Sequence, residues 1–190
     1  MKKIVIVGVG ALGSHLVLLG RNWDARIVAV DFDRVESKNV RSQLHTRMGV
    51  GRNKAQALQQ TMQGLFGLRI DAVPHRLVAD NAAVLLEGAD VVVDCVDHAE
   101  TRRLIQRVAA ERAIPCLHGA LAADGRYARV MWDPDFAVDE GGEGQATCED
   151  GKHLPFVALV AAHLAISLQR FLANGVMNGA HIRPDGVEPV

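Results

Sequence analysis

Cysteine is scarce in this chain, and its pattern excludes more than its number does. Only Cys95, Cys116 and Cys148 occur, and no two of them form a CxxC pair. An odd, sparse set supplies neither a disulfide framework nor a structural zinc site, and it suits a reducing compartment, so a cytoplasmic setting is expected. The eight histidines show no HExxH or similar ligand spacing. Net charge is −1, so the whole-chain balance predicts no attraction to nucleic acid or to membranes. No run approaches the roughly 20 continuous apolar residues of a membrane span. Strand-like sequence is reached by Ile4, which leaves no room for a signal peptide ahead of it. Disorder is excluded too, because 49% of the residues are hydrophobic. A length of 190 residues is most simply one domain with ample core.

What the chain does have is concentrated at its start. Lys2–Val7 is a short apolar run with β-branched residues at Ile4, Val5, Ile6 and Val7. It runs into Gly8-Val9-Gly10-Ala11-Leu12-Gly13, after which Ser14 to Leu19 reads as a helix. Strand, glycine turn and helix follow in the order a nucleotide site needs. Gly8 allows the tight turn, Gly10 lets the backbone approach a phosphate, and Gly13 lets helix and strand pack closely. Phosphate oxygens would sit where backbone N–H groups and the helix dipole converge. Arg26–Val30 reads as a second strand ending at Asp31, 18 residues after Gly13, near the spacing at which an acid meets a ribose hydroxyl. The competing reading of Asp31 is a turn or cap aspartate.

Further along, Gly51 to Phe66 reads as a helix and Arg69–Val73 as a third strand. Asn81 is expected to cap a short helix, Ala82–Glu87, stopped by Gly88. Val91-Val92-Val93 reads as a strand buried on both faces. It ends in Asp94-Cys95-Val96-Asp97, two acids beside a phosphate loop, a natural place for Mg²⁺. A helix over Glu100 to Arg112 precedes strands at Ile114–His118 and Tyr127–Trp132, whose short connection predicts an antiparallel pair. Asp133 to His153 reads as a long loop, and Phe156–Ala173 as a strongly apolar helix of the kind buried in a core or an interface. The expected organisation is a nucleotide-binding domain over residues 1–175 and a frayed C-terminal tail over 176–190. The expected fold is α/β, a Rossmann-like, mostly parallel sheet with helices on both faces and antiparallel strands at its C-terminal edge.

Charge is unevenly spread. Arg34 to Lys54 holds six basic residues and one acid, whereas Asp133 to Asp150 holds seven acids and no Lys or Arg. Either could be a solvated surface, but the basic segment follows the second strand on the sheet edge that carries the glycine loop, which favours phosphate binding there.

The order GVGALGS, DFDRVESKNV, GRNK, DCVDHAETR, IPCLHGAL and ATCEDG before an apolar helix resembles the ubiquitin-activating-type superfamily, in particular its small MoeB/ThiF-like adenylyltransferases. The resemblance covers about residues 3 to 175. It implies binding of ATP and Mg²⁺ and adenylation of the C-terminal carboxylate of a ubiquitin-fold or sulfur-carrier protein, in a dimer. It also implies roles for individual residues. Gly8, Gly10 and Gly13, with Ala11 and Leu12 between them, match the nucleotide loop. Asp31 matches the acid that holds the ribose, with Asp33 beside it. Asn39 and Gln43 match the asparagine and glutamine of an SNLxRQ segment, and Lys54 matches a phosphate-reaching lysine at the head of a helix. Asp97 matches the metal-handling aspartate of DxxDN, followed by Arg102. Cys148 matches a cysteine in a C-x-x-x-G segment. The sequence departs from the pattern where Ser42 replaces the family arginine, which here sits one residue earlier at Arg41, and where His98 replaces the asparagine after Asp97. The family usually carries helices, and sometimes a trans-acting arginine, ahead of the first strand, so such an arginine is expected from a partner or not at all.

These residue types fit the chemistry. Attack of a carboxylate on an α-phosphate builds charge on the phosphoryl oxygens and on departing pyrophosphate, which Arg41, Lys54 and a metal at Asp97 would neutralise. No general base is needed, since the nucleophile is already an anion. Cys148 would have to be an exposed thiolate to accept an acyl group, and Glu149 and Asp150 disfavour the thiolate, so an uninvolved loop cysteine is the competing reading. Cys95 and Cys116 read as packing residues, Trp132 and Phe156 as core, and His118, at a strand end near the site, either as lining the partner channel or as an ordinary polar side chain. Two other classes stay open: an NAD-binding oxidoreductase, which the glycine motif and Asp31 fit equally well, and a non-catalytic nucleotide-binding subunit of a heteromeric complex. Asn39, Lys54 and Asp97 together count against NAD.

Overall fold

A computed structural model describes residues 1–138 and 151–190. Eight strands form one sheet in the order β3-β2-β1-β4-β5-β6-β7-β8. These are β1 (Lys2–Val7), β2 (Ala25–Val30), β3 (Asp71–Val73), β4 (Val91–Asp94), β5 (Cys116–Leu121), β6 (Ala128–Trp132), β7 (Ala180–Arg183) and β8 (Gly186–Pro189). The first five are parallel, and β5 to β8 run antiparallel. The chain steps outward from β1 to β2 and β3, then returns to place β4 on β1's other side. The order therefore reverses between β1 and β4, and the carboxyl ends of those strands form the crevice where α/β sheets bind ligands.

Strand residues alternate between two cores, as the two-residue period of a strand requires. Ile4, Ile6, Ile27, Ala29, Val91 and Val93 face α1 (Ala11–Leu19), α2 (Lys54–Phe66) and α5 (Leu154–Asn174). Val5, Val7, Val28, Val30, Val92 and Cys116 face α3 (Ala79–Leu85) and α4 (Ala99–Glu111). With both faces covered, the parallel strands read as unbroken apolar runs rather than alternating ones. Each fully buried Ile, Leu or Val contributes about 1.5–3 kcal/mol.

Helix α5 is long and apolar enough to cross a membrane by length and composition, which the absence of a continuous apolar run in the sequence did not convey. Here it lies on the sheet, burying Phe156, Val157, Val160, Ala161, Leu164, Ala165 and Leu168. Gly119 of β5 makes that seat possible. A Cβ there would come within 2.7 Å of Leu164 and 3.1 Å of Leu12, so the glycine lets α1 and α5 meet over the strand. Trp132 and Phe156 are in this core, and the indole N–H of Trp132 donates to Ser167 Oγ at 2.8 Å.

Three expectations are corrected. Residues 176–190 are no frayed tail, for β7 pairs with β6 and β8 folds back on β7, with Ile182 fully buried. Two short polar segments, weak alone, are held by the ladder of the strand before them. Helix α3 starts at Ala79, so Asn81 lies inside its first turn and accepts the Val78 N–H at 2.9 Å from there. Helix α2 starts at Lys54, because Asn53 is its cap, accepting from Gln56 N at 3.2 Å.

Candidate nucleotide site

The glycine loop is shaped by close approaches that only glycine permits. Gly8 has φ +86°, and a Cβ on it would stand 2.9 Å from the Cys95 carbonyl. A Cβ on Gly13 would stand 1.9 Å from the Gly8 carbonyl oxygen, so α1 can rise directly off the end of β1 only with glycine at that position. Gly10 differs. Its nearest neighbour would be Gln43 Nε2 at 3.8 Å, so no contact within the protein itself requires glycine there. The space a side chain would fill is left open beside the N-terminus of α1. That helix has no acid in its first turn and, among the described residues, no side-chain cap. Its leading N–H groups are thus available to an anion such as phosphate.

The loop is pinned from beneath. Asp31, at the end of β2, accepts Val9 N at 2.8 Å through one carboxylate oxygen and Asp33 N at 2.9 Å through the other. Burial raises its pKa, with Lys54 and the two backbone N–H groups working the other way. Asp31 thus anchors the turn, and each of its oxygens keeps a lone pair that a ribose hydroxyl could use. Asn53 ties the segment to α2 by donating to the Asp31 and Asp33 carbonyls at 2.8 and 3.2 Å. This clamp sets Lys54 against Asp33, Nζ to Oδ2 at 3.0 Å, with the lysine side chain only 11% exposed and Asp33 48%. Asp33 positions the ammonium.

Residues 39–45 wrap over the loop as a lid of fixed geometry. Asn39 is buried and its Oδ1 accepts Glu36 N at 2.8 Å, so it builds the turn that starts the segment. Three bonds then fasten the segment to α1 and its loop: Leu44 N donates to Ser14 Oγ at 3.0 Å, His15 Nε2 meets the Ser42 carbonyl at 3.1 Å, and His45 Nε2 meets the Val9 carbonyl at 3.0 Å. The His45 ring N–H must point at Val9, since a carbonyl only accepts. Burial drives the His45 pKa down to about 4, so the ring is neutral. Sequence reasoning gave no role to His15 or His45, for they sit in irregular backbone with no motif around them. Gln43 lies beside Gly10, and its buried Oε1 has no donor among the described residues. An orphaned acceptor next to an open phosphate cradle fits a ligand that brings hydroxyl groups, as a nucleotide's ribose does.

Asp94 and Asp97, paired in expectation, are separated. Asp94 is fully buried, its Oδ2 2.8 Å from His118 Nδ1 and 3.2 Å from Arg102 Nε, so it is no metal acid. Arg102 also donates to the carbonyls of Val96 and Gly119, and so braces the loop after β4. Asp97 lies at that loop's outer end, its side chain 76% exposed and 3.8 Å from His98. A single exposed carboxylate suits Mg²⁺, which keeps several waters and takes its remaining oxygens from phosphates. The loop abuts the glycine turn, for a Cβ on Gly8 would meet Val96 N at 3.1 Å. Arg41 is exposed, and its backbone lies against Gly151, where a Cβ would approach it to 3.1 Å. Cys148 lies outside the described residues.

His118 does not line a partner channel. It is fully buried, with Asp94 on one ring nitrogen, Asp133 Oδ2 3.1 Å from the other and the Phe136 ring stacked at 4.4 Å. Burial opposes its charge, but Asp133, Asp94 and Cys116 outweigh that and push its pKa up to about 11. The Cys95 thiol is pushed up strongly, by burial and by Asp94, in keeping with a packing role.

The glycine cradle at a sheet's switch point, with a clamped lysine beside it, defines a class of nucleotide-binding α/β domain. The chain belongs to the ThiF family, whose model matches residues 1–174. It is 38% identical over 133 residues to the sulfur carrier protein adenylyltransferase of Thermus thermophilus, which covers 66% of this chain and 48% of that protein. It is 35% identical over 197 residues to the adenylyltransferase and sulfurtransferase MOCS3 of Anopheles gambiae, 97% of this chain and 45% of that one. The chain therefore spans less than half the length of these two relatives. Among solved structures, E. coli MccB with MccA-N7isoASN superposes with a TM-score of 0.80 over 100% of this chain and 63% of that chain, at 17% identity. At that identity the likeness concerns the fold.

Proposed function

We propose that this chain is the nucleotide-handling unit of an adenylyltransferase that uses ATP and Mg²⁺ to activate the C-terminal carboxylate of a ubiquitin-fold or sulfur-carrier protein. The observation that carries this reading is the convergence of the open Gly10 cradle, the orphaned Gln43 acceptor and the Asp33-held Lys54 at one edge of the sheet. Membership of the ThiF family and the printed functions of its relatives, a sulfur carrier protein adenylyltransferase and a SAMP-activating enzyme E1 of Haloferax volcanii, support it.

In this reading the N–H groups at the head of α1 hold phosphate oxygens. A carboxylate oxygen of the partner's last residue attacks the α-phosphorus, the bond to the bridging oxygen breaks, and pyrophosphate leaves. Lys54 and Arg41 supply positive charge where the transition state gains negative charge. Mg²⁺ at Asp97 would neutralise the pyrophosphate. A dimer and a cytoplasmic setting belong to the same reading, the first resting on family resemblance and the second on the sparse cysteines.

ATP–pyrophosphate exchange with a candidate carrier ending in Gly-Gly tests it. Exchange should depend on carrier and on Mg²⁺, and Lys54→Ala and Asp97→Ala should each lower it by about 10²-fold or more. Isothermal titration adds a second arm, in which NAD binding tightly while ATP–Mg²⁺ does not bind would overturn the proposal.

A further inference from the structure

We propose that Cys116, His118 and Asp133 form a site for a divalent transition metal of the zinc class, separate from any Mg²⁺ that accompanies nucleotide. One sulfur, one nitrogen and one oxygen from these residues all lie within 4.8 Å of one another. The topology brings them together. Cys116 and His118 alternate along β5 and so share a face, and Asp133 follows β6 and donates its backbone N–H to the Cys116 carbonyl at 3.0 Å.

The bonds around the cluster aim the ligand atoms at one point. Asp94 takes His118 Nδ1 at 2.8 Å, which turns Nε2 inward. That Nε2 is fully buried and, among the described residues, makes no hydrogen bond, although Asp133 Oδ2 stands only 3.1 Å away. Gln106 Nε2 donates to Asp133 Oδ1 at 2.7 Å and leaves Oδ2 for the cluster. A carboxylate behind a ligating histidine and a donor behind a ligating carboxylate are the outer partners that metal sites use to orient ligands. The stacked Phe136 ring closes one side. Asp133 is 24% exposed, and a water on that side would complete the coordination.

The ligand set selects against Mg²⁺ and Ca²⁺, which prefer oxygen alone, and favours zinc with its tetrahedral mix of S, N and O.

Cobalt(II) titration of the chelator-stripped full chain tests this without nucleotide or carrier. One equivalent of Co²⁺ should give visible ligand-field bands of a four-coordinate ion and an ultraviolet sulfur-to-cobalt band, and Zn²⁺ should bleach both. Cys116→Ser should remove the sulfur band, whereas Cys148→Ser should leave it intact. Gln106→Ala, at a half-buried position, should weaken binding about 10–100-fold. Absence of stoichiometric Co²⁺ and Zn²⁺ binding by the folded wild-type chain would overturn the site and leave an imidazolium–carboxylate pair in its place. Survival of the sulfur band in Cys116→Ser, or its loss in Cys148→Ser, would overturn it too. Neither result bears on pyrophosphate exchange, so this proposal and the adenylation reading fail independently.

Discussion

On one side of the switch point, between β1 and β2, charge is met by backbone N–H groups and a single lysine at a half-open edge. On the other side, between β4 and β6, it is met by buried side chains, Asp94, Arg102 and His118, with the partly exposed Asp133 at their outer end. The first region is built to receive charge from outside, and its own groups leave Gly10's space and Gln43's acceptor open. The second is built to hold its charge in place. Openness shows in unfilled space beside a helix N-terminus, and closure shows in the sharing of one carboxylate oxygen by two cations.

The sharpest way to break the comparison is Asp94→Ala. It leaves Arg102 buried without its carboxylate and His118 with Asp133 as its one acid, and a loss of about 3–5 kcal/mol is expected from urea unfolding. Lys54→Ala should reverse the pattern, with exchange falling about 10²–10³-fold while stability moves by less than about 1 kcal/mol, since its partner Asp33 is half exposed.

A pH series separates the two regions as well. His45 is held neutral, with its pKa lowered from 6.5 to about 4, so below pH 6.5 the unfolded chain binds more protons than the folded one. Its contribution is complete above pH 6.5 and is lost as pH falls towards 4. Between pH 7 and 5 that amounts to about 2 kcal/mol, visible in urea midpoints of wild type and absent from His45→Gln. The mildest change is Gly10→Ala. Stability should stay within about 0.5 kcal/mol, because the new methyl meets nothing closer than 3.8 Å, yet ATP affinity measured by titration should drop about tenfold or more as the methyl takes the phosphate's space.

The two regions also differ in how far the sequence exposed them. The glycine loop, Asp31 and Lys54 were legible because backbone sites depend on glycine at fixed spacing and on a strand followed by a helix, and those lie close together in the chain. Asp31 was legible in position but is occupied by the turn it anchors. The His118 cluster was hidden, because its members come from β4, α4, β5 and the end of β6, and no local spacing joins residues 94, 102, 118 and 133. His45 was hidden for a related reason, since its partner Val9 is 36 residues away in an irregular segment. The parallel sheet was readable from unbroken apolar runs. β7 and β8 were not, because an exposed hairpin at a rim carries little apolar signal.

That hairpin has a consequence for how the molecule can associate. The sheet's two rims are β3, only three residues long, and β8, exposed throughout and ending in Glu188 and Pro189. A very short rim strand on one side and a charged, proline-bearing one on the other are devices that stop sheets from adding strands. Among the described residues, both rims are thus blunted against strand addition. Under the proposed function, a carrier would meet the chain through helix faces and the loops along the carboxyl edge of the sheet.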